Sequence, residues 1–153
     1  MRSRFSAKRA SRAIDMQQVL TIETYGQALY EFTDDVKSFV GKRNIEAGLL
    51  TLFVRHTSCS LLIQENADPE VQVDMKEFFS RLVPSSDSPE MSWITHTYEG
   101  PDDMPAHIKS ALLPVSLSIP IINGSLGLGT WQGIYLFEHR NMPHRRDVIL
   151  HIS

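Results

Sequence analysis

Short β-rich segments crowd the C-terminal part of the chain, and this pattern limits the fold more than any other feature. Four such segments cover residues 115–122, 126–128, 131–137 and 147–152. Glycines, prolines and a polar loop at residues 140–146 separate them. Apolar and β-branched runs bounded by turn residues are typical of strands. The pattern therefore predicts a sheet-rich C-terminal part.

Strand patterns also recur in the first half of the chain. Alternating residues at 19–24 predict a strand that turns at Gly26, and further strands are expected at 30–32, 49–54 and 59–63. Ordered structure should begin near residue 17, and the chain contains no internal repeat.

Helical patterns separate these strands. Thr33 offers an N-cap for a first helix that should end near residues 42–44. Asp68 and Pro69 stand in the favoured order of cap and first-turn proline, and so begin a second helix. This helix carries an apolar stripe that we expect to lie in the core, namely Val71, Met75, Phe78, Phe79 and Leu82.

A third helix completes the pattern. Asp102 or Asp103 can cap it, and it should run to about Leu113. Strands with interspersed helices predict an α+β fold. A length of 153 residues suits one domain, which we place at 17–153.

Composition and charge exclude several classes of protein. The 42% hydrophobic content is that of a globular protein, and no apolar run is long enough to span a bilayer. Residues 1–16 form a basic extension in which five arginines and lysines precede the first acidic residue. The other ten basic residues face eighteen acidic ones, a net charge of −8, so nucleic acid is not expected as the main partner. Cys59 is the single cysteine, which excludes an intramolecular disulfide and favours the reducing cytoplasm.

Histidines recur at three motif-like places. His56, His96 and His107 each lie beside hydroxyl or carboxylate side chains. Neutral imidazole is a good zinc ligand, and a nearby acid can orient the ring. The sequence leaves open the alternative that these are ordinary core or surface histidines. We expect His107 in the first turn of the third helix, where the helix dipole keeps the ring neutral.

Acidic residues and the cysteine near His56 allow more than one role. Glu65 and Asp68 lie at a strand-to-helix junction, where a carboxylate could orient a ligand, bind a metal or act as a base. The alternative for Asp68 is a helix cap alone. Cys59 is predicted to be a small buried residue, because free cysteine is among the most buried residue types.

The glycine-rich segment 124–133 is predicted to be a hairpin. It lacks the strand-turn-helix context of a dinucleotide fingerprint, and no P-loop lysine follows it. A phosphate contact is the open alternative, with Thr130 and the later arginines Arg140, Arg145 and Arg146 as partners.

Taken together, four motifs resemble the YjbQ-like family, whose members are described as secondary thiamine-phosphate synthases. The motifs lie at residues 56–58, 65–69, 98–109 and 129–134, and the last begins Gly-Thr-Trp-Gln. The resemblance extends from about residue 17 to the end. It implies a compact α+β fold with β-sandwich-like sheets and about three helices, assembled as a homotrimer with a metal-associated site.

The resemblance also implies site residues and an activity. The metal ligands would be His56, His96 and His107, binding zinc, with magnesium possible for the phosphate substrate. Catalytic acids would come from the set Glu65, Asp68, Glu99 and Glu138. Substrate or anion contacts would come from the set Thr130, Gln132, Arg140, Arg145 and Arg146. The three histidines should converge, with Glu99, Asp102 or Asp103 as an additional ligand or as partners of the ligands.

The reaction implied is the joining of a pyrimidine diphosphate to a thiazole phosphate with loss of pyrophosphate. Partners would be a phosphorylated small molecule and two further copies of the chain, in the cytoplasm, with no nucleic acid and no membrane. Two alternatives use the same residues: a non-enzymatic trimer that binds a metal or metabolite, and a metal-dependent phosphohydrolase. Two departures from the family pattern concern the anion-contacting region, namely Cys59 and the run Glu138-His139-Arg140.

Overall fold

The computed structural model describes residues 15–153, so the predicted extension at 1–16 lies almost entirely outside the described residues. In this part of the chain, α-helices are interspersed among the strands. In order they are β1 (Gln17–Thr24), β2 (Ala28–Glu31), α1 (Thr33–Gly41), β3 (Ala47–Val54), β4 (Cys59–Glu65), α2 (Pro69–Leu82), α3 (Asp103–Leu112), β5 (Ser116–Ile122), β6 (Ser125–Leu126), β7 (Gln132–Glu138) and β8 (His144–Ile152).

Two antiparallel sheets enclose the core, which confirms the predicted α+β fold. One sheet has the strand order β1-β8-β3-β5-β6, and the other has the order β2-β7-β4. Alternate residues of both sheets point inward, since side chains along a strand face opposite sides. Among these, Leu50, Leu52, Leu61, Leu136 and Leu150 are at most 1% exposed. Of the helices in residues 15–153, none is long and apolar enough to cross a membrane.

Helix α1 lies where the sequence predicts it, but its first residue is not capped as predicted. Thr33 is the first helical residue, and the N-cap position belongs to Phe32, whose side chain makes no cap. The Thr33 hydroxyl instead donates to Glu31 at 2.6 Å and accepts from the amide of Ile134 at 2.9 Å. Because Thr33 is buried against β7, its hydroxyl satisfies a sheet amide rather than its own helix.

Helix α2 begins as predicted, with the Asp68 carboxylate accepting from the amide of Glu70 at 2.9 Å. The prediction that its apolar stripe lies in the core is wrong. Only Phe79 is buried, packing edge-on against Phe137 with 5.7 Å between ring centres. Phe78 is 57% exposed and Leu82 is 53% exposed. Periodicity identifies an apolar face, but the placement of the helix decides what covers it.

The glycine-rich segment begins with the predicted hairpin. Asn123 and Gly124 join β5 to β6, and both have positive φ angles, of 49° and 79°, as a tight two-residue turn requires. Strand β8 begins at His144, so the predicted loop at residues 140–146 is too long by three residues. Arg145 and Arg146 are therefore consecutive strand residues that face opposite sides of the sheet.

Candidate functional site

Four side chains with metal-binding chemistry converge at one end of α3. His96 and Glu99 come from the loop that precedes the helix, and Asp103 and His107 lie one turn apart on the helix itself. One ligand atom from each residue lies within 4.8 Å of the others. This metal group contains two of the three histidines that the sequence singles out, with rings 5.9 Å apart between centres.

Asp103 lies at the centre of the metal group. Its Oδ2 accepts from His96 Nε2 at 2.8 Å and lies 3.5 Å from His107 Nε2, while its Oδ1 accepts from Arg140. Burial opposes ionisation of this carboxyl, but its hydrogen bond with His96 and the charge of Arg140 hold the pKa below its ordinary value. Asp103 therefore stays a carboxylate and can serve as an anionic ligand.

The backbone determines the tautomer of His107. Its Nδ1 lies 2.9 Å from the carbonyl oxygen of Thr57, which can only accept, so Nδ1 carries the proton. In the neutral ring Nε2 then has a free electron pair, and this nitrogen faces Asp103. This arrangement suits a metal ligand, because a second hydrogen bond orients the ring. His107 lies in the second turn of α3, one turn later than predicted, since the helix begins at Asp103.

His56 is not brought into the metal group. Its Nε2 accepts a hydrogen bond from the backbone amide of Asp147 at 2.8 Å, so the electron pair of that nitrogen is already used. Burial and the nearby charge of Arg146 lower the pKa of His56, which keeps the ring neutral. The neutral ring consequently carries its proton on Nδ1. Glu99 and Asp103 take the place that the sequence assigned to His56.

A cavity of about 580 Å³ adjoins the metal group through His107. It lies between the end of β3 and the C-terminal half of α3. Apolar side chains of Phe53, Ala111 and Val115 form much of its surface, and His56 lies on it with His107. Its size is that of pockets that hold small organic ligands.

The predicted catalytic acid Glu138 is instead half of a buried ion pair. Arg146 donates to its carboxylate through Nε at 2.6 Å and through Nη2, and the same Nη2 donates to the Ser58 hydroxyl at 2.9 Å. Burial alone would raise the pKa of Glu138, but the hydrogen bonds from Arg146, Thr24 and the Arg140 amide lower it. Both charges are enclosed, so this pair holds β7 against β8.

The other two arginines among the predicted anion contacts are also engaged with carboxylates. Arg140 lies 3.0 Å from Asp102 and also pairs with Asp103, and it donates to the carbonyl of Glu99. Arg145 is exposed and lies 3.2 Å from Glu23. The three arginines therefore neutralise acidic side chains. Arg140 also contacts two members of the metal group, because it pairs with Asp103 and donates to the Glu99 carbonyl.

The other predicted site residues lie at the end of the smaller sheet that is opposite to Glu138. They are Glu65, Asp68, Thr130 and Gln132. Glu65 pairs with Gln132 across β4 and β7, whereas Glu138 stands at the other end of β7, about 20 Å away for six strand steps. Asp68 caps α2, Thr130 is exposed, and Gln132 accepts from the Gly129 amide at 2.8 Å. The predicted site is thus divided between two ends of the molecule.

The sequence predicts Asp103 only as one of three acids that could be an additional ligand or a partner of the ligands. The Thr57 carbonyl and the cavity wall are not predicted at all. The spacing of Asp103 and His107, four residues apart on a helix, places them on one face and could have paired them. No sequence pattern predicts the contact between Thr57 and His107, because every residue has a backbone carbonyl and the acceptor therefore cannot be identified by residue type.

Known proteins are similar to this chain in sequence and in fold. A family model described as "UPF0047 protein YjbQ-like" matches residues 18–153. UPF0047 protein sll1880 of Synechocystis sp. is 52% identical over 137 residues, or 90% of each chain, and UPF0047 protein YjbQ of Salmonella typhimurium is 45% identical over 87% of this chain and 94% of its own. The conserved hypothetical protein TT1486 from Thermus thermophilus matches with a TM-score of 0.75 at 32% identity, over 89% of this chain and 99% of that structure. The chain belongs to the YjbQ-like UPF0047 family.

Proposed function

We propose that this protein is a metal-dependent enzyme acting on a phosphorylated small molecule. The observation that carries the proposal is the convergence of His96, Glu99, Asp103 and His107 within 4.8 Å. Two imidazoles with two carboxylates form a nitrogen and oxygen donor set that suits zinc. Magnesium prefers oxygen ligands alone, so its expected place is with the phosphate of the substrate.

The specific reaction that we propose resembles thiamine-phosphate synthesis. A pyrimidine diphosphate would be joined to a thiazole phosphate, with pyrophosphate as the leaving group. A bound metal supplies positive charge that stabilises phosphate oxygens. The chain's own contribution is to orient His107 through Thr57 and to hold Asp103 ionised through Arg140. We propose the cytoplasm as the compartment and a homotrimer as the assembly.

A non-enzymatic metal-binding protein is the second candidate. Arg140 and Arg146 pair with enclosed carboxylates, so neither of them offers a free guanidinium to a leaving pyrophosphate. This engagement of the arginines favours binding without turnover. The same metal group serves both candidates, and only an assay of product formation separates them.

Metal binding is tested with the full chain and three variants. Calorimetric titration with zinc should show one site in the wild type, and His96→Gln or His107→Gln should weaken binding by at least about tenfold. His151→Gln is the matched control, since His151 is exposed on β8 and lies outside the metal group of His96, Glu99, Asp103 and His107. Wild-type zinc affinity in both site variants would contradict the proposal.

Turnover is tested with the metal-loaded protein and both substrates. Chromatography should detect thiamine phosphate and pyrophosphate in equal amounts, and His107→Gln should abolish both. If the protein binds zinc but forms neither thiamine phosphate nor pyrophosphate, the result would favour the non-enzymatic metal-binding protein. Release of inorganic phosphate from a panel of phosphate esters would instead identify a phosphohydrolase.

A further inference from the structure

The ring of His56 has one hydrogen-bonding group that the fold leaves available. Val54 is the last residue of β3 and pairs with Val148 of β8. The next amide of β8, that of Asp147, donates its hydrogen bond to Nε2 of the His56 ring and not to a backbone carbonyl of β3. This bond makes His56 part of the end of the sheet, so the ring cannot rotate without breaking it. The protonated Nδ1 donates to no acceptor among residues 15–153.

The cavity beside His56 is lined both by apolar side chains and by cationic or hydrogen-bond-donating ones. Phe53, Ala111 and Val115 provide the apolar wall, and Phe53 is 45% exposed there although it is a large aromatic residue. Arg55, His56 and Thr57, which are consecutive in the chain, also line the cavity. Within the described chain, no carboxylate lies within 4 Å of the Arg55 guanidinium.

The residues around the cavity determine the charge of a suitable ligand. None of the nine residues that line it is acidic, and one is an arginine. Among these nine residues a cation would find no counter-charge, whereas an anion would meet Arg55 and a fixed N–H donor. The exposed face of Phe53 favours a flat ring, because aromatic pairs gain from stacked or edge contacts.

We propose that this cavity binds a small molecule made of an aromatic ring and an anionic head, and that His56 donates its Nδ1 proton to that head. The ring lies against Phe53 and Val115, and the head lies between His56 and Arg55. His56 is thus a positioning donor for the ligand. As a statement of substrate class the proposal rests on the proposed function, but binding itself needs no metal.

The test uses metal-free full-length protein and three probes. Phenyl phosphate carries both ring and head, inorganic phosphate carries the head alone, and phenol carries the ring alone. Calorimetry or ligand-observed NMR should show phenyl phosphate binding at least about tenfold tighter than either fragment, because both halves of the cavity contribute. Equal affinity for phenyl phosphate and inorganic phosphate would overturn the proposal.

Variants then assign the roles. His56→Gln should weaken phenyl phosphate binding about tenfold, the loss expected for one hydrogen bond to a charged group, and His151→Gln should leave it unchanged. Ala111→Phe, which places a ring in the cavity, should abolish phenyl phosphate binding while zinc still binds. Unfolding temperatures show whether each variant is folded. Should His56→Gln lose its fold, Ala111→Phe still decides whether the ring occupies this cavity.

The outcomes separate this inference from the proposed function. Zinc binding without phenyl phosphate binding overturns the inference and leaves the metal site intact. Phenyl phosphate binding without zinc binding supports the inference and contradicts the metal-dependent enzyme. Wild-type affinity for phenyl phosphate in both His56→Gln and Ala111→Phe overturns the inference.

Discussion

Burial changes the role that a charged residue takes, and Glu138 shows this most clearly. The sequence motif predicts a catalytic role for its carboxylate at the end of the strand that begins with Gln132. The side chain is instead 0% exposed and paired with Arg146. Taking two charges out of water is costly, and their mutual hydrogen bonds offset that cost. Removing one partner leaves the other charge unpaired in the interior.

Glu138→Gln should therefore destabilise the fold strongly. The cost expected for breaking a buried pair is about 3–5 kcal/mol, because Arg146 keeps its charge without a counter-ion. The matched variant Glu23→Gln breaks the exposed pair with Arg145 and should cost less than about 1 kcal/mol. Urea unfolding monitored by circular dichroism measures both. Similar small losses in the two variants would show that the Glu138 pair is not enclosed in solution.

His139 is a second residue whose environment sets its chemistry. Its Nε2 lies 2.9 Å from the Ser60 hydroxyl, and Nδ1 is the buried side-chain atom that has no partner within residues 15–153. Burial, assisted by the charge of Lys109, lowers the pKa of His139 from 6.5 to about 3. The ring is thus neutral in the folded protein throughout the physiological range.

This shift predicts a loss of stability in mild acid. Below about pH 6.5 the unfolded chain binds a proton on His139 that the folded protein does not bind until about pH 3. Stability therefore falls as the pH drops through this window, by up to about 1.4 kcal/mol per pH unit from this group. His139→Gln should flatten the dependence between pH 6.5 and 5, above the range where Glu138 is protonated. Urea titrations at several pH values measure it, with His151→Gln as control, and an unchanged slope in His139→Gln would refute the prediction.

At the scale of elements, strand length separates the residues that were expected to form one site. Strand β7 carries Gln132 at one end and Glu138 at the other, so residues close in sequence lie about 20 Å apart. Helix α3 has the opposite effect, because one turn brings Asp103 and His107 together. The candidate site therefore forms around the helix.

Asp68 belongs to helix α2 and should act there as a cap. Asp68→Ala should lower stability by about 1 kcal/mol, the usual loss when a side-chain cap is removed. Asp68→Asn retains an oxygen for the Glu70 amide and should be close to wild type. Thermal unfolding measures both, and zinc titration should be unaffected because Asp68 lies outside the metal group. A loss of zinc affinity in Asp68→Ala would contradict this prediction and would show that Asp68 contributes to the metal site.

At the scale of the whole molecule, exposed apolar residues on α2 bear on assembly. Phe78 and Leu82 lie one turn apart on the same face, and both are more than half exposed in a single chain. Large exposed apolar surfaces commonly mark contacts between proteins. These residues support the proposed homotrimer by providing a surface that further copies could cover.

Charge on this face should separate the copies. The double variant Phe78→Glu with Leu82→Glu should elute as a single chain of 17.4 kDa, because burying two carboxylates in an interface is unfavourable. Val73→Glu is the control, as Val73 is similarly exposed on the other side of the helix. Light scattering after size-exclusion chromatography gives the mass. A wild-type protein that is itself a single chain, or a double variant that remains a trimer, would contradict this arrangement.

Local patterns were enough to predict most elements. Alternation, helical spacing and the Asp68 cap depend on neighbours within a few residues, and they located the strands and helices to within a few positions. The motifs also identified the family, which the match over residues 18–153 confirms. The two histidines that converge, His96 and His107, were among those singled out.

The sequence by itself thus determined the elements, the family and the candidate residues, but only the tertiary structure decided which of those residues meet. His56 bonds to the amide of Asp147, and Ser58 bonds to Arg146, across 91 and 88 positions of the chain. These contacts depend on how β3 and β4 align with β8, and strand register is a property of the whole sheet. The same packing buries Glu138 and leaves His107 at a cavity, because burial is set by distant parts of the chain rather than by sequence neighbours.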